Sequence, residues 1–92
     1  MVYVDPLVNY GVEDAPACFR CKPSCHMYAD TLDELHAAAA YIGLKRSWFQ
    51  NAQTLPHYDL TPSKRKLAVK AGVQETDHAH MVAYMRARRK AL

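Results

Sequence analysis

Alternating apolar and polar residues predict two short β-strands in the first third of the chain. Residues 2–5 (Val-Tyr-Val-Asp) are β-branched and aromatic, and Pro6 ends the segment. Residues 25–29 form the second predicted strand, with side chains that point alternately to opposite faces. This alternation gives one face with His26, Tyr28 and Asp30 and another with Cys25, Met27 and Ala29. Residues 9–24 have turn residues and no clear period, which predicts a loop.

The first predicted helix covers residues 32–42. Thr31 is a favourable N-cap, and Glu34 three residues later completes a capping-box pattern. Gly43 is placed to end the helix, because glycine adopts the left-handed conformation that follows many helix C-termini. The helical spacing predicts one buried stripe, which consists of Leu32, Leu35, Ala39 and Ile42.

Two further helices are predicted in the second half of the chain. Thr61 as N-cap and Pro62 at the first helical position begin a helix that runs to about residue 71. We expect Leu67 and Ala71 to face the core and Gly72 to end the helix. A last helix over about residues 78–90 follows Asp77 as its cap and has a strongly basic final turn.

Shorter extended segments complete the pattern. Residues 45–50 and 57–60 are predicted to be extended, residues 51–56 to form a loop, and a further extended piece to begin at Val73. This order predicts an α+β fold, a small sheet of about three to four short strands packed by two to three helices. We assign residues 1–75 to a single domain and residues 76–92 to a basic helix that packs on it or extends from it.

Composition limits the chain to one small folded domain. It has 92 residues, of which 50% are hydrophobic and 23% charged, so it is too apolar for a disordered protein. The sequence has neither an apolar run that spans a membrane nor a signal-peptide pattern, so we expect a cytoplasmic protein without a membrane partner. Because so small a domain buries a limited core, a homodimer or a structural metal would add stability.

The net charge of +3 is unevenly distributed, with −4 in residues 1–44 and +7 in residues 45–92. A basic half favours an anionic partner such as a nucleotide, nucleic acid or acidic protein surface. Solvated helix faces are the alternative explanation for the same charges.

Four polar residues on the predicted strands form a candidate catalytic set, namely His26, Asp30, His57 and Asp59. His26 and Asp30 share one face of their strand, and His57 and Asp59 share one face of theirs. The four side chains therefore converge if the two strands are neighbours. Clusters of histidine and carboxylate bind divalent metals or act as general acids and bases. Each residue alone also has a structural interpretation, as does His36, which is placed to hydrogen-bond the sheet.

A second candidate site lies at the start of the 62–71 helix, where Ser63, Lys64 and Arg65 follow Thr-Pro. Backbone N–H groups at a helix N-terminus bind anions, and cations there oppose the helix dipole. A bound phosphate or carboxylate explains such cations. The alternative is a local ion pair with Asp59.

The cysteines offer a weaker metal hypothesis. Cys18, Cys21, Cys25 and His26 are residue types that zinc prefers, with a Cys-x-x-Cys half-site. However, residues 25 and 26 point to opposite sides of an extended backbone, so only a turn would bring both to one ion. Three reduced cysteines are therefore the favoured interpretation, and no metal or other cofactor is assigned.

Lys45 and Arg46 precede Trp48 and Phe49, and this combination of charge with aromatic rings suits binding to a nucleic-acid strand. Burial of the two rings in the core is the favoured alternative, since a small domain needs large apolar side chains.

Several segments together resemble a family of small uncharacterised proteins of bacteria and phages, a domain of unknown function. The segments are Cys-His-Met-x-Ala-Asp at 25–30, Asp-Glu-Leu-His at 33–36, Trp-Phe-Gln at 48–50 and His-Tyr-Asp at 57–59, followed by Ser-Lys-Arg at 63–65. The resemblance covers most of residues 2–75 and implies no mechanism. It does imply which residues match the shared pattern, and among them His36, Trp48 and Gln50 are expected to contact a ligand.

These observations predict a small accessory domain that binds a nucleotide or a nucleic-acid phosphate, with phosphoester chemistry as a further step. In this hypothesis Ser63, Lys64 and Arg65 hold the phosphate, while the histidine and aspartate set supplies recognition or catalysis. The alternative is a phage protein without enzymatic activity that binds and inhibits a host protein.

Overall fold

A computed structural model describes residues 1–7 and 24–91. Four strands form one sheet in the order β3-β2-β1-β4. The strands are β1 (Val2–Val4), β2 (Cys25–Ala29), β3 (Tyr58–Leu60) and β4 (Gln74–Glu75), and the helices are α1 (Leu32–Tyr41), α2 (Pro62–Lys70) and α3 (His78–Ala91). β2 is antiparallel to both β1 and β3, whereas β4 is parallel to β1. The mixed four-stranded sheet with three helices confirms the predicted α+β class.

Both faces of the sheet are covered, by different helices. Cys25, Met27 and Ala29 of β2 lie in the main buried cluster with residues of α1 and α2, including Leu35 and Ala68. The intervening Tyr28 lies in a second cluster with Leu55 and Met81, against which Tyr84 of α3 packs. The predicted alternation along β2 is therefore confirmed.

Local capping signals form as the sequence predicts. The Thr31 side chain accepts from the Glu34 backbone N–H at the start of α1, and Thr61 accepts from the Lys64 N–H at the start of α2. At the start of α3, Asp77 Oδ1 accepts from the His80 N–H. Gly43 and Gly72 follow α1 and α2 with φ angles of 83° and 101°, a conformation in which other residues are strained.

The predicted burial is correct for Leu35 and Ile42, which are 1% and 5% exposed, but not for every stripe residue. Leu32 and Leu67 are 43% and 47% exposed, and Ala71 is also exposed. Ala68 is fully buried instead. Because residues 67, 68 and 69 are all apolar, the sequence does not fix which face of α2 turns inward, and the prediction chose a face about 100° from the actual one.

Residues 45–50 do not form the predicted strand. Arg46–Trp48 make a short 3-10 helix, and only Gln50 pairs with the sheet region, in a single bridge to His57. Phe49 packs against the core, but Trp48 is 51% exposed, with Lys45 Nζ 5.7 Å from its ring centroid. The expectation of a buried tryptophan is therefore wrong.

Candidate functional site

Pairing of β2 with β3 brings two histidines and a carboxylate together at the edge of the sheet. His26 lies directly opposite Asp59, and His57 precedes Asp59 by two residues on the same side of the chain. Asp59 Oδ1 lies 3.9 Å from His26 Nε2 and 3.4 Å from His57 Nε2. The two imidazole rings meet edge to face, with centroids 4.8 Å apart.

The His26 ring is held by Asp5, a buried carboxylate that is 2% exposed. Asp5 Oδ2 lies 2.9 Å from His26 Nδ1, and Asp5 Oδ1 accepts a hydrogen bond of 2.6 Å from the His26 backbone N–H. The Asp5 hydrogen bond raises the pKa of His26 above its usual value, against the opposing effect of burial. The pair fixes the ring orientation and favours its protonated form.

His57 and Asp59 are also held by neighbouring groups. His57 Nδ1 donates to the Leu55 carbonyl oxygen at 2.6 Å, and the Gln50 side-chain amide donates to Asp59 Oδ2. The bridge between Gln50 and His57 consists of two backbone hydrogen bonds, of 2.9 and 3.0 Å. This bridge places Gln50 beside the edge strand, which explains how a residue outside the named strands reaches the site.

These groups line an open pocket of about 300 Å³, which we call the His–Asp pocket. Its lining residues are Ser24, His26, Gln50, His57 and Asp59. The His57 side chain is only 11% exposed, whereas Asp59 is 50% exposed at the mouth. The pocket combines orientated imidazole nitrogens with an accessible carboxylate, a donor set suited to proton transfer, anion binding or metal binding.

Two residues of the predicted set lie elsewhere. Asp30 follows the end of β2 and accepts hydrogen bonds from Tyr3 Oη and the N-terminal amine. It does not join the other three, because the chain turns into α1 directly after it. His36 lies on α1, across the sheet from the pocket, where its Nδ1 is 2.8 Å from Tyr58 Oη and burial lowers its pKa.

Lys64 and Arg65 have partners within the protein. Lys64 Nζ donates to the carbonyl oxygen of Ile42, the C-cap of α1. Arg65 donates to the Asp5 carbonyl and forms an ion pair of 2.9 Å with Glu75. These contacts give a structural reason for cations at the start of α2, with Glu75 rather than Asp59 as the acidic partner. Ser63 is exposed, and its hydroxyl lies 3.2 Å from Thr61 Oγ1.

Two of the proposed zinc ligands, Cys25 and His26, lie on opposite faces of the sheet. Cys25 is a buried free thiol on the α1 and α2 side of the sheet, and His26 points to the other side. Burial raises the pKa of Cys25 to about 12, which disfavours the thiolate that zinc binds. Cys18 and Cys21 lie outside the described residues. The positions of Cys25 and His26 give no support to a zinc site made of the four predicted ligands.

The predicted site did not include Asp5, which holds the His26 ring. The sequence shows Asp5 only as an acidic residue at the end of an apolar strand. Its contact with His26 joins residues 21 positions apart, which local patterns do not predict. Gln50 was predicted as a ligand contact and does line the pocket, whereas Trp48 and His36 do not.

Comparison with known families shows which family the chain belongs to. The family model "Protein of unknown function (DUF4031)" matches residues 2–88. The chain belongs to this family. The DUF4031 match extends beyond residue 75, where the sequence resemblance ended, and therefore includes most of α3. No curated protein and no solved structure matches the chain.

Within the described residues, none of the helices has both the length and the apolar character needed to cross a bilayer.

Proposed function

We propose that this protein binds a phosphate-bearing ligand, a nucleotide or a nucleic-acid phosphate, in the His–Asp pocket. The observation that carries the proposal is the convergence of His26, His57 and Asp59 in an open pocket at the sheet edge. Nε2 of a protonated imidazole and the second N–H of the Gln50 amide are hydrogen-bond donors that phosphate oxygens accept. The excess of positive charge in residues 45–92 would attract such an anion over a longer range.

The arrangement also supports phosphoester chemistry as a further part of the proposal. A histidine orientated by a buried aspartate is a common general acid or base, and the His26–Asp5 pair has this form. His57 lies against it and supplies a second imidazole. The proposed accessory role in bacteria or phages and the cytoplasmic location rest on the sequence resemblance and composition.

Calorimetry with inorganic phosphate, a nucleoside monophosphate and a short single-stranded oligonucleotide tests the binding. His57→Gln should weaken binding at least about tenfold, because hydrogen bonds to charged groups contribute roughly 1.5–3 kcal/mol. His78→Gln, which changes an exposed histidine at the start of α3, is the matched control and should leave affinity unchanged.

Ser63→Ala separates the two candidate phosphate sites. If it abolishes binding while His57→Gln does not, the phosphate binds at the start of α2 and the pocket assignment is wrong. Absence of binding by the wild-type protein at millimolar concentrations of all three probes would refute the proposed function.

A specific observation also supports the alternative of a protein partner. Tyr41 is 80% exposed and Leu67 47% exposed, and with Lys70 they line an open groove between the ends of α1 and α2. Exposed apolar side chains beside a cation are typical of a protein contact. A partner that binds there should be lost in Tyr41→Ser/Leu67→Ser and retained in His57→Gln, the reverse of the phosphate result.

A further inference from the structure

His26, His57 and Asp59 have the donor set and spacing of a transition-metal site. Each residue offers one ligand atom, a ring nitrogen of His26 and of His57 and a carboxylate oxygen of Asp59, and these atoms lie within 4.8 Å of one another. A tetrahedral ion with bonds of 2.0–2.1 Å separates its ligand atoms by about 3.4 Å. The distances from Asp59 Oδ1 to Nε2 of His57 and of His26, 3.4 and 3.9 Å, are close to that value.

The contact between His57 and the Leu55 carbonyl determines which ring nitrogen faces Asp59. The Leu55 carbonyl can only accept a hydrogen bond, so His57 Nδ1 must carry a proton. Nε2 is then the ring nitrogen that faces Asp59 Oδ1, at a distance of 3.4 Å. This arrangement leaves His57 Nε2 and Asp59 Oδ1 as the two potential ligand atoms of these residues.

Each potential ligand is also held by a partner of the kind that supports bound metals. Asp5 holds His26 Nδ1, the Leu55 carbonyl holds His57 Nδ1, and the Gln50 amide holds Asp59 Oδ2. Metal-binding histidines usually donate their second ring nitrogen to a carboxylate or carbonyl in this way. These contacts turn Nε2 of both rings and Oδ1 of Asp59 toward the same point.

We propose that His26, His57 and Asp59 bind one divalent first-row transition ion, for which zinc is the probe. Two imidazoles and one carboxylate favour such an ion over magnesium or calcium, which prefer all-oxygen sites. Three protein ligands leave at least one coordination position open toward the pocket, as in catalytic rather than structural zinc sites. The inference deepens the proposed function because a phosphate oxygen would fill that position, yet metal binding itself is independent of any phosphate.

Calorimetric titration with zinc alone tests the site, in chelator-stripped, reduced protein and phosphate-free buffer. We expect one ion per chain with micromolar or tighter affinity. His57→Ala and Asp59→Asn should each weaken it by more than about 100-fold. Gln50→Ala should weaken it by about tenfold, the usual effect of removing a group that supports a ligand. Nitrogen NMR should show the zinc-induced shift at Nε2 of His26 and His57.

Matched variants exclude other zinc sites. His78→Ala removes an exposed histidine outside the cluster, and Cys18→Ser/Cys21→Ser removes the cysteine half-site; neither should change zinc affinity. The inference is wrong if wild-type protein does not bind zinc. It is equally wrong if the cysteine variant loses zinc while folded His57→Ala and Asp59→Asn retain it, with folding checked by circular dichroism.

Repeating the phosphate titrations with and without zinc separates the two proposals. Zinc binding without phosphate binding in either condition refutes the proposed function and leaves the metal site in place. If the protein does not bind zinc and its affinity for phosphate is the same with and without zinc, the result supports the proposed function and refutes the metal site.

Discussion

At the residue scale, strand periodicity and the pairing of β2 with β3 place the side chains that line the His–Asp pocket. His57 and Asp59 share a side because they are two residues apart, and His26 joins them because β2 pairs with β3. Asp30 was assigned by the same periodicity, but β2 ends at Ala29 before reaching it. The contact of Asp5 with His26 depends on the pairing of β1 with β2. Composition and local spacing do not predict this pairing.

The His26–Asp5 pair should make stability depend on pH. Since Asp5 raises the pKa of His26 in the folded protein, the stabilisation is fully present below about pH 6.5. It is lost as pH rises through the folded-state pKa, because the folded protein then releases the extra proton. In metal-free protein, Asp5→Asn should lower the pKa of His26 measured by NMR and reduce this loss of unfolding free energy.

Asp33→Asn is the control for that measurement, because it removes an exposed carboxylate from α1. It should leave the pKa of His26 unchanged. A His26 pKa that is the same in wild type and Asp5→Asn would show that Asp5 does not stabilise the imidazolium.

At the element scale, helix ends were predictable and helix faces only in part. Thr31, Thr61 and the two glycines act through neighbours in sequence, so local chemistry determines the caps. The inward face of α2 depends instead on distant contacts, including Lys64 with Ile42 and Arg65 with Glu75. In residues 45–50 only Trp48 and Phe49 favour a strand. The backbone of this segment forms a 3-10 turn, and Gln50 then makes a single bridge to His57.

Lys64 should stabilise α1 although it belongs to α2. The last turn of α1 has no basic residue of its own, and Lys64 Nζ donates to the Ile42 carbonyl at 2.8 Å. A cation is favourable at this helix end. Lys64→Met should lower the unfolding free energy by about 1–2 kcal/mol in urea denaturation. Lys66→Met, an exposed position on the same helix, should change it by less than about 0.5 kcal/mol. Equal effects would exclude a capping role for Lys64.

At the scale of the whole molecule, the sheet separates two packed layers and leaves the His–Asp pocket at its β3 edge. α1 and α2 cover the face of Cys25 and Met27, while α3 packs on Tyr3 and Tyr28. Tyr28 lies two residues along β2 from His26, so α3 contacts the face that carries the site. The predicted boundary between a domain of residues 1–75 and a following helix can therefore be tested. The test is whether α3 unfolds together with the sheet or separately from it.

The stability of the α3 contact should reside in its apolar side rather than its charges. Met81 is 8% exposed and packs with Tyr28 and Leu55, and Tyr84 Oη donates to the Ala29 carbonyl at 2.6 Å. Met81→Ala should cost about 2 kcal/mol or more, since a buried side chain leaves a cavity. Arg89→Gln/Lys90→Gln changes only exposed charges and should cost less than about 0.5 kcal/mol.

Chemical denaturation of both variants, followed by fluorescence and circular dichroism, distinguishes the two ways in which α3 could relate to the sheet. If α3 packs as part of one cooperative unit, Met81→Ala lowers the midpoint of a single transition seen by both probes. If Met81→Ala leaves the sheet's transition unchanged while helical signal is lost earlier, α3 is a separate extension and the folding unit ends near residue 75. A large effect of the charge variant would instead show that the basic turn makes contacts essential for docking.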